Sequence, residues 1–297
     1  MGGSPVVSCG MLTPMSGRFN AELYRGKSWG TRGVKNAWDL PTLKVRYLMQ
    51  TLIPRNVDAA RLLEVGCGSG RILRTIRAYD PALALSGIDL SASQIDAARR
   101  SHETLEIDYR HGDGERLPYE DSSFDFLIFL DYLEHIENPQ ASLAEMWRVL
   151  RPGGVLHFVC PAEGQFPTIY WLSSRLFRRH FKETTLGHIQ QFSLRQIEDL
   201  VRDAGFIISQ RRYSYHLLGG AMDYLLFALL LDPRIARIYW AHDKYHTSDD
   251  EAAPPTLAGS ILNAVMTFGN AIAYVESRLL GKTRALASAI HVTAVKS

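Results

Sequence analysis

Hydrophobic positions along this chain switch between a helical and an extended period. In "NAWDLPTLKVRYLMQTLIP", Leu43, Tyr47, Leu48 and Leu52 recur at helical spacing and Pro54 ends the run, which predicts a helix. From there strands and helices alternate. "RLLEV" reads as a strand, "RILRTIRAY" as a helix, and "LALSGIDL" as the next strand, with Ser91 capping a helix over "ASQIDAARRS". "LEIDYRHGD" and the apolar run "FDFLIFL" are two more strands. A helix over Pro139 to Leu150, the turn "RPGG" and the strand "VLHFVCP" come next. This alternation predicts a parallel sheet covered by helices on both faces.

Past Pro161 the rhythm changes. Residues 162–192 read as an insertion carrying a basic amphipathic stretch, "LSSRLFRRHF". Ser193 and Gly205 bracket a helix over "SLRQIEDLVRDAGF", and "FIISQRRYSY" is a strand. Residues 216–284 are mostly apolar helix, and "SAIHVTAVK" returns to strand alternation. The expected organisation is a loose segment at 1–34, one α/β domain made of 35–214 with 285–297, and an apolar helical block, 215–284, inserted before the last strand.

The first strand stops at three glycines, Gly66, Gly68 and Gly70. Ligands of open α/β sheets bind outside the carboxyl ends of the strands, where the strand order reverses, so this loop is the expected binding place. A nicotinamide cofactor asks for G-x-G-x-x-G, whereas Arg71 stands where the third glycine would fall. A nucleoside triphosphate site would need Gly-Lys-Ser/Thr, which the loop does not have. Glu64 would repel a pyrophosphate and welcome an ammonium group. Asp89 ends the second strand, where a carboxylate can accept from both ribose hydroxyls, and Asp113 with Gly114 could meet an adenine ring. Adenosine joined to an amino-acid cation is S-adenosylmethionine.

Composition narrows the class without changing the picture. Of the 297 residues, 46% are hydrophobic and 22% charged, enough to bury a full core, and the net charge of +2 gives no field toward nucleic acid. Three cysteines without paired spacing exclude a disulfide framework or zinc motif and suit a reducing, cytoplasmic setting. The start of the chain lacks a basic region followed by a long apolar core, so no signal peptide is expected.

Taken together, "LLEVGCGSG", "GIDLS", "GDGERLPYEDSSFDFLIFLDYLEHIENP" and "LRPGGVLHFVCP" resemble, in order, the class I S-adenosylmethionine-dependent methyltransferases of the small-molecule group. The resemblance covers roughly residues 40–214 and the last strand. It implies an α/β, doubly wound, mostly parallel seven-stranded sheet, Rossmann-like, with the helical insertion before the final strand. It implies that Glu64, Gly66, Cys67 and Gly68 line the methionine part of the cofactor. Asp89, with Leu90 beside it, would hold the ribose, Asp113 and Gly114 the adenine, and Leu130 would pack alongside.

In "LDYLEHIENP", His135, with Asp131 nearby, is the candidate general base for a hydroxyl, or else a helix cap. Asp131, Glu134 and His135 are also similar to the Glu-x-x-Glu-His pattern that the ubiquinone-pathway O-methyltransferases link to a divalent cation. Asp131 replaces the first Glu, and no metal is expected. The acceptor is sought in the helical block. "TLAGSILNAVMTFGNAIAYV" is uncharged over 20 residues and long enough to span a bilayer, yet Ser260, Asn263, Thr267 and Asn270 form one stripe that fits a cavity wall or a second surface better. The block is therefore a lid over a lipophilic acceptor, a peripheral membrane contact through 216–284 to which Arg175, Arg178, Arg179 and Lys182 would add charge, or a homodimer interface. The expected reaction is O- or C-methylation of a small apolar acceptor. N-methylation of an amine, or a binding protein that has lost transfer, are the alternatives.

Overall fold

The computed structural model describes residues 39–52, 60–101, 104–177, 181–242 and 256–297. The expected loose segment 1–34 and the basic residues Arg178 and Arg179 lie outside these. Helix α1 (Leu40–Leu52) leads into β1 (Arg61–Val65), α2 (Arg71–Tyr79), β2 (Ala84–Asp89), α3 (Ala92–Ser101), β3 (Asp108–His111) and β4 (Phe124–Leu130). After a 3-10 turn at Leu133–His135 come α4 (Pro139–Val149), β5 (Leu150–Pro161), α5 (Ile169–Phe177), α6 (Phe181–Leu186), α7 (Leu194–Asp203) and β6 (Phe206–Ser214). The chain closes with α8 (Leu217–Leu229), α9 (Pro233–His242), α10 (Leu257–Leu280) and β7 (Ala289–Lys296).

The sheet runs β3-β2-β1-β4-β5-β7-β6. Strands β1 to β5 pair in parallel, and β7 lies antiparallel between β5 and β6. The strand order therefore reverses between β1 and β4, at the glycine loop. The central strands are apolar on both faces because helices cover both: Leu63, Leu127, Phe129 and Phe158 pack on one side, and Leu62, Phe126, Ile128 and Ile76 on the other. Ser193 caps α7 in a reciprocal capping box with Gln196, and Gly205, at φ +93°, turns the chain into β6.

One boundary differs from the sequence reading. "RPGG", expected as a turn before β5, belongs to the strand, which already pairs at Leu150 with Phe124 and regains regular register at Val155 opposite Phe126. The four residues between are an irregularity in the ladder that a local turn signal does not distinguish from a loop.

Candidate active site

The glycine loop owes its residue type to backbone shape and to neighbours. Gly66 and Gly70 have φ of +72° and +79°, where a side chain is strained. A Cβ on Gly66 would stand 2.7 Å from the ring of Tyr132, and one on Gly70 would stand 2.1 Å from the Tyr109 hydroxyl. The loop folds back over the end of β2, where Asp89 Oδ2 accepts from the Gly68 N–H at 2.8 Å and Oδ1 accepts from the Ser91 N–H at 2.8 Å. Asp113 Oδ1 accepts from the Glu115 N–H at 2.9 Å, shaping the turn after β3.

These elements surround one cavity of about 670 Å³. Its lining includes every cofactor-binding and catalytic candidate from the sequence: Glu64, Gly66, Cys67, Gly68, Asp89, Leu90, Asp113, Gly114, Leu130, Asp131 and His135. Glu64 is buried, and its Oε2 has no hydrogen-bond partner. Burial drives its carboxyl well above the usual range, against the Arg71 guanidinium. A cavity wall carrying an unsatisfied carboxyl fits a cationic ligand group, which would restore both its charge and its hydrogen bonding. Cys67 is buried, and burial raises its thiol well above normal, so it is no nucleophile.

The far half of the cavity is walled by α8 to α10, through Met222, Leu226, Phe227, Tyr239, Met266 and Ala273. Between the halves lies a set of charged groups from separate segments. Asp131, at φ +54°, pairs with Lys44 of α1. Lys182 of α6 bonds Asp223 of α8 at 2.7 Å and Glu163 at 3.3 Å, and its ammonium sits over the rings of Tyr170 and Phe227. His188 Nδ1 lies 2.9 Å from Glu163 Oε1. Burial pushes the Glu163 carboxyl up, but the His188 imidazole and the Lys182 ammonium outweigh it and hold it down at about 2. In the tautomer that donates from Nδ1 to this carboxylate, Nε2 of the neutral His188 ring is left as an acceptor.

His188 reaches this place because the Ile189 and Gln190 N–H groups both donate to the Glu134 carbonyl, stitching its loop to the turn after β4. The same contact brings His135 Nδ1 within 3.3 Å of the Gly187 carbonyl and sets the two imidazoles edge to face at 4.8 Å. Burial, reinforced by His188, lowers His135 to about 3. One donor atom each from Glu134, His135 and His188 lies within 4.8 Å of the others, a spacing that a divalent cation would accept. Glu134 Oε1 is buried without a hydrogen-bond partner, 3.8 Å from His135 Nε2.

His188, Glu163 and Lys182 were not read from the sequence as site residues. Lys182, counted there as a head-group contact, faces inward and is buried, because Asp223 and Glu163 meet it inside. Asp223, the lone charge in "LLGGAMDYLLFALLL", was the available signal, since a charge on an apolar helix calls for a buried partner. Of the polar stripe on α10, Asn270 lines the cavity while Ser260, Asn263 and Thr267 are exposed. The helix turns its small residues Gly259, Gly269, Ala273 and Ser277 inward instead. Arg175 is exposed and sits over the Trp171 ring.

Residues 63–158 match the family described as "Methyltransferase domain". The chain is 34% identical over 125 residues to a demethylmenaquinone methyltransferase of Deinococcus radiodurans, covering 40% of this chain and 50% of that protein. It is 32% identical over 105 residues to a ubiquinone biosynthesis O-methyltransferase of Maricaulis maris, covering 34% of this chain and 41% of that one. It thus spans half or less of the length of these curated relatives. Among solved structures, it resembles Haemonchus contortus phosphoethanolamine N-methyltransferase 2 in complex with phosphomonomethylethanolamine and S-adenosylhomocysteine, with a TM-score of 0.55 at 17% identity over 86% of this chain and 52% of that one. Residues 63–158 thus match a methyltransferase domain, and the sheet order is that of a Rossmann-like fold shared with that solved structure.

Proposed function

We propose that the chain transfers a methyl group from S-adenosylmethionine to a small, apolar acceptor that carries a hydroxyl. The observation that supports this best is a continuous cavity that joins the glycine loop and its acidic residues to a chamber walled by apolar helices. Glu64 would receive the ammonium of the amino-acid part, against Gly66, Cys67 and Gly68. Asp89 would accept the ribose hydroxyls with the lone pairs its two backbone donors leave, next to Leu90. Asp113 and Gly114 would meet the adenine, and Leu130 would pack alongside. The quinone names of the two curated relatives favour a lipophilic acceptor.

S-adenosylmethionine, when bound, would supply a sulfonium methyl for an acceptor oxygen to attack in line, with the C–S bond breaking and S-adenosylhomocysteine leaving. The chain's own work is to hold the acceptor in line, exclude water and take the hydroxyl proton. His188 is better built for that proton than His135. Its ring is oriented by the Glu163 carboxylate, and Nε2 is the nitrogen left to accept. His135, lowered to about 3, holds a proton poorly near neutral pH and fits as a wall beside Asp131 and Lys44. A second reading rests on the converging donors of Glu134, His135 and His188: a divalent cation there would polarise the hydroxyl instead. Loss of transfer on chelation, restored by magnesium, would favour it over the base.

The test of the cofactor is calorimetric titration with S-adenosylmethionine and, separately, with NAD. Binding of the first alone is expected, weakened about tenfold or more in Asp89→Ala as hydrogen bonds to a charged group are lost. No binding of S-adenosylmethionine would sink the proposal and leave a non-catalytic binding protein. Transfer to amines but not to hydroxyl compounds would move the reaction to N-methylation.

A further inference from the structure

The outer surface of the helical block is the part of the molecule its proposed chemistry does not explain. On α10, Leu257, Ile261, Val265, Phe268, Ile272, Val275 and Leu279 follow at intervals of four, four, three, four, three and four residues. That spacing is one stripe of a helix. It lies on the side opposite Gly259, Met266, Asn270, Ala273 and Ser277, since 3.6 residues per turn puts the two sets about half a turn apart. Leu257 and Leu279 are 79% exposed and Phe268 69%. Helix α8 repeats the arrangement, with Leu218, Leu225 and Leu229 outward and Met222, Leu226 and Phe227 on the cavity. Both helices are thus apolar on two faces, one lining the cavity and one meeting solvent. A contiguous exposed patch of this kind marks a contact surface.

We infer that this outer face docks on an anionic lipid bilayer, which lies against the same helices that roof the acceptor chamber. The inference rests on the proposed apolar acceptor, because such a molecule partitions into lipid and would reach the cavity through the helices resting on it. The exposed charges of the described residues favour the bilayer as the occupant, while 243–255 add Asp243, Asp249, Asp250 and Glu251 against Lys244 in sequence. Among the described residues of the block, Arg234, Arg237, Arg278, Lys282 and Arg284 are exposed. Asp232 is the exposed acid among them, and it caps the Arg234 N–H. Glu276 is turned to the N–H groups of Leu218 and Gly219, and Asp223 points inside to Lys182. An apolar stripe with a basic surround is the pattern of a helix lying in the plane of an anionic interface. By length and composition α10 could cross a bilayer. However, its inner face is packed on α8, α9, β6 and α1, so the in-plane arrangement is the one that keeps the fold.

The test is co-sedimentation of the full chain with vesicles of phosphatidylcholine alone and with added phosphatidylglycerol, without cofactor or acceptor. Binding is expected to the anionic vesicles, weakened by salt, and reduced about tenfold or more by the double variant Ile261→Glu, Phe268→Glu. Titration with S-adenosylmethionine on the same double variant is expected to match the parent, which shows that the variant is folded. No binding to anionic vesicles overturns the inference, as does a variant that binds like the parent. A dimer in solution that the same variant dissociates would give the face to a second copy of the chain instead. Vesicle binding without any S-adenosylmethionine binding would keep the docking surface and remove the proposed reaction.

Discussion

Replacing Glu163 by Gln keeps the shape of the side chain and removes its charge. The Gln oxygen can still accept from His188 Nδ1, and Lys182 keeps Asp223 at 2.7 Å, so the change isolates the buried carboxylate. A carboxyl held at about 2, against 4.5 for an ordinary glutamate, contributes roughly 3 kcal/mol to folding near pH 7. Its folded value is depressed, so the contribution is complete above about pH 4.5 and is lost as the pH falls toward 2. Urea unfolding of parent and variant at pH 7 should therefore differ by roughly 3 kcal/mol, and at pH 3.5 by roughly 2. Groups remote from this cluster titrate alike in both proteins and cancel in the difference. A gap below about 1 kcal/mol at pH 7, or one that does not change with pH, would refute the claim that the contacts to His188 and Lys182 set this carboxyl.

Three further outcomes can be checked. His188→Ala should slow methyl transfer about 100-fold or more with S-adenosylmethionine affinity kept, while His135→Ala should cost less; the reverse order of the two rates would return the base role to His135. Gly70→Ala should cost about 2–4 kcal/mol in chemical unfolding, because φ of +79° is strained for alanine and the Tyr109 hydroxyl stands where the Cβ must go; a loss under about 0.5 kcal/mol would mean the loop relaxes freely. Ser193→Ala should remove about 1 kcal/mol by opening the capping box of α7, and an unchanged unfolding midpoint would show that the cap is redundant.

Local pattern in the chain determined the elements and the place where they bind. Runs such as "RLLEV" and "FDFLIFL", short, apolar and bounded by turn residues, read as buried strands, and three glycines after the first of them mark a tight backbone turn. Because β1 to β5 pair in parallel, their carboxyl ends gather at one edge, and residues read separately, from Glu64 to His135, line one cavity. Tertiary structure alone decided the charged partners across that cavity. Glu163, Lys182, His188 and Asp223 come from four segments, and apart from Asp223, the lone charge of an apolar helix, each looks like an ordinary surface residue beside its neighbours in sequence. Only the loop stitched to the Glu134 carbonyl and the packing of α8 over α6 bring them inside, where low polarity makes each require the others. The direction of α10 was likewise not readable. Its sequence offers a polar stripe and an apolar one, and the close approach of Met222 that Gly269 allows set the inward face between small residues and left the apolar stripe outside.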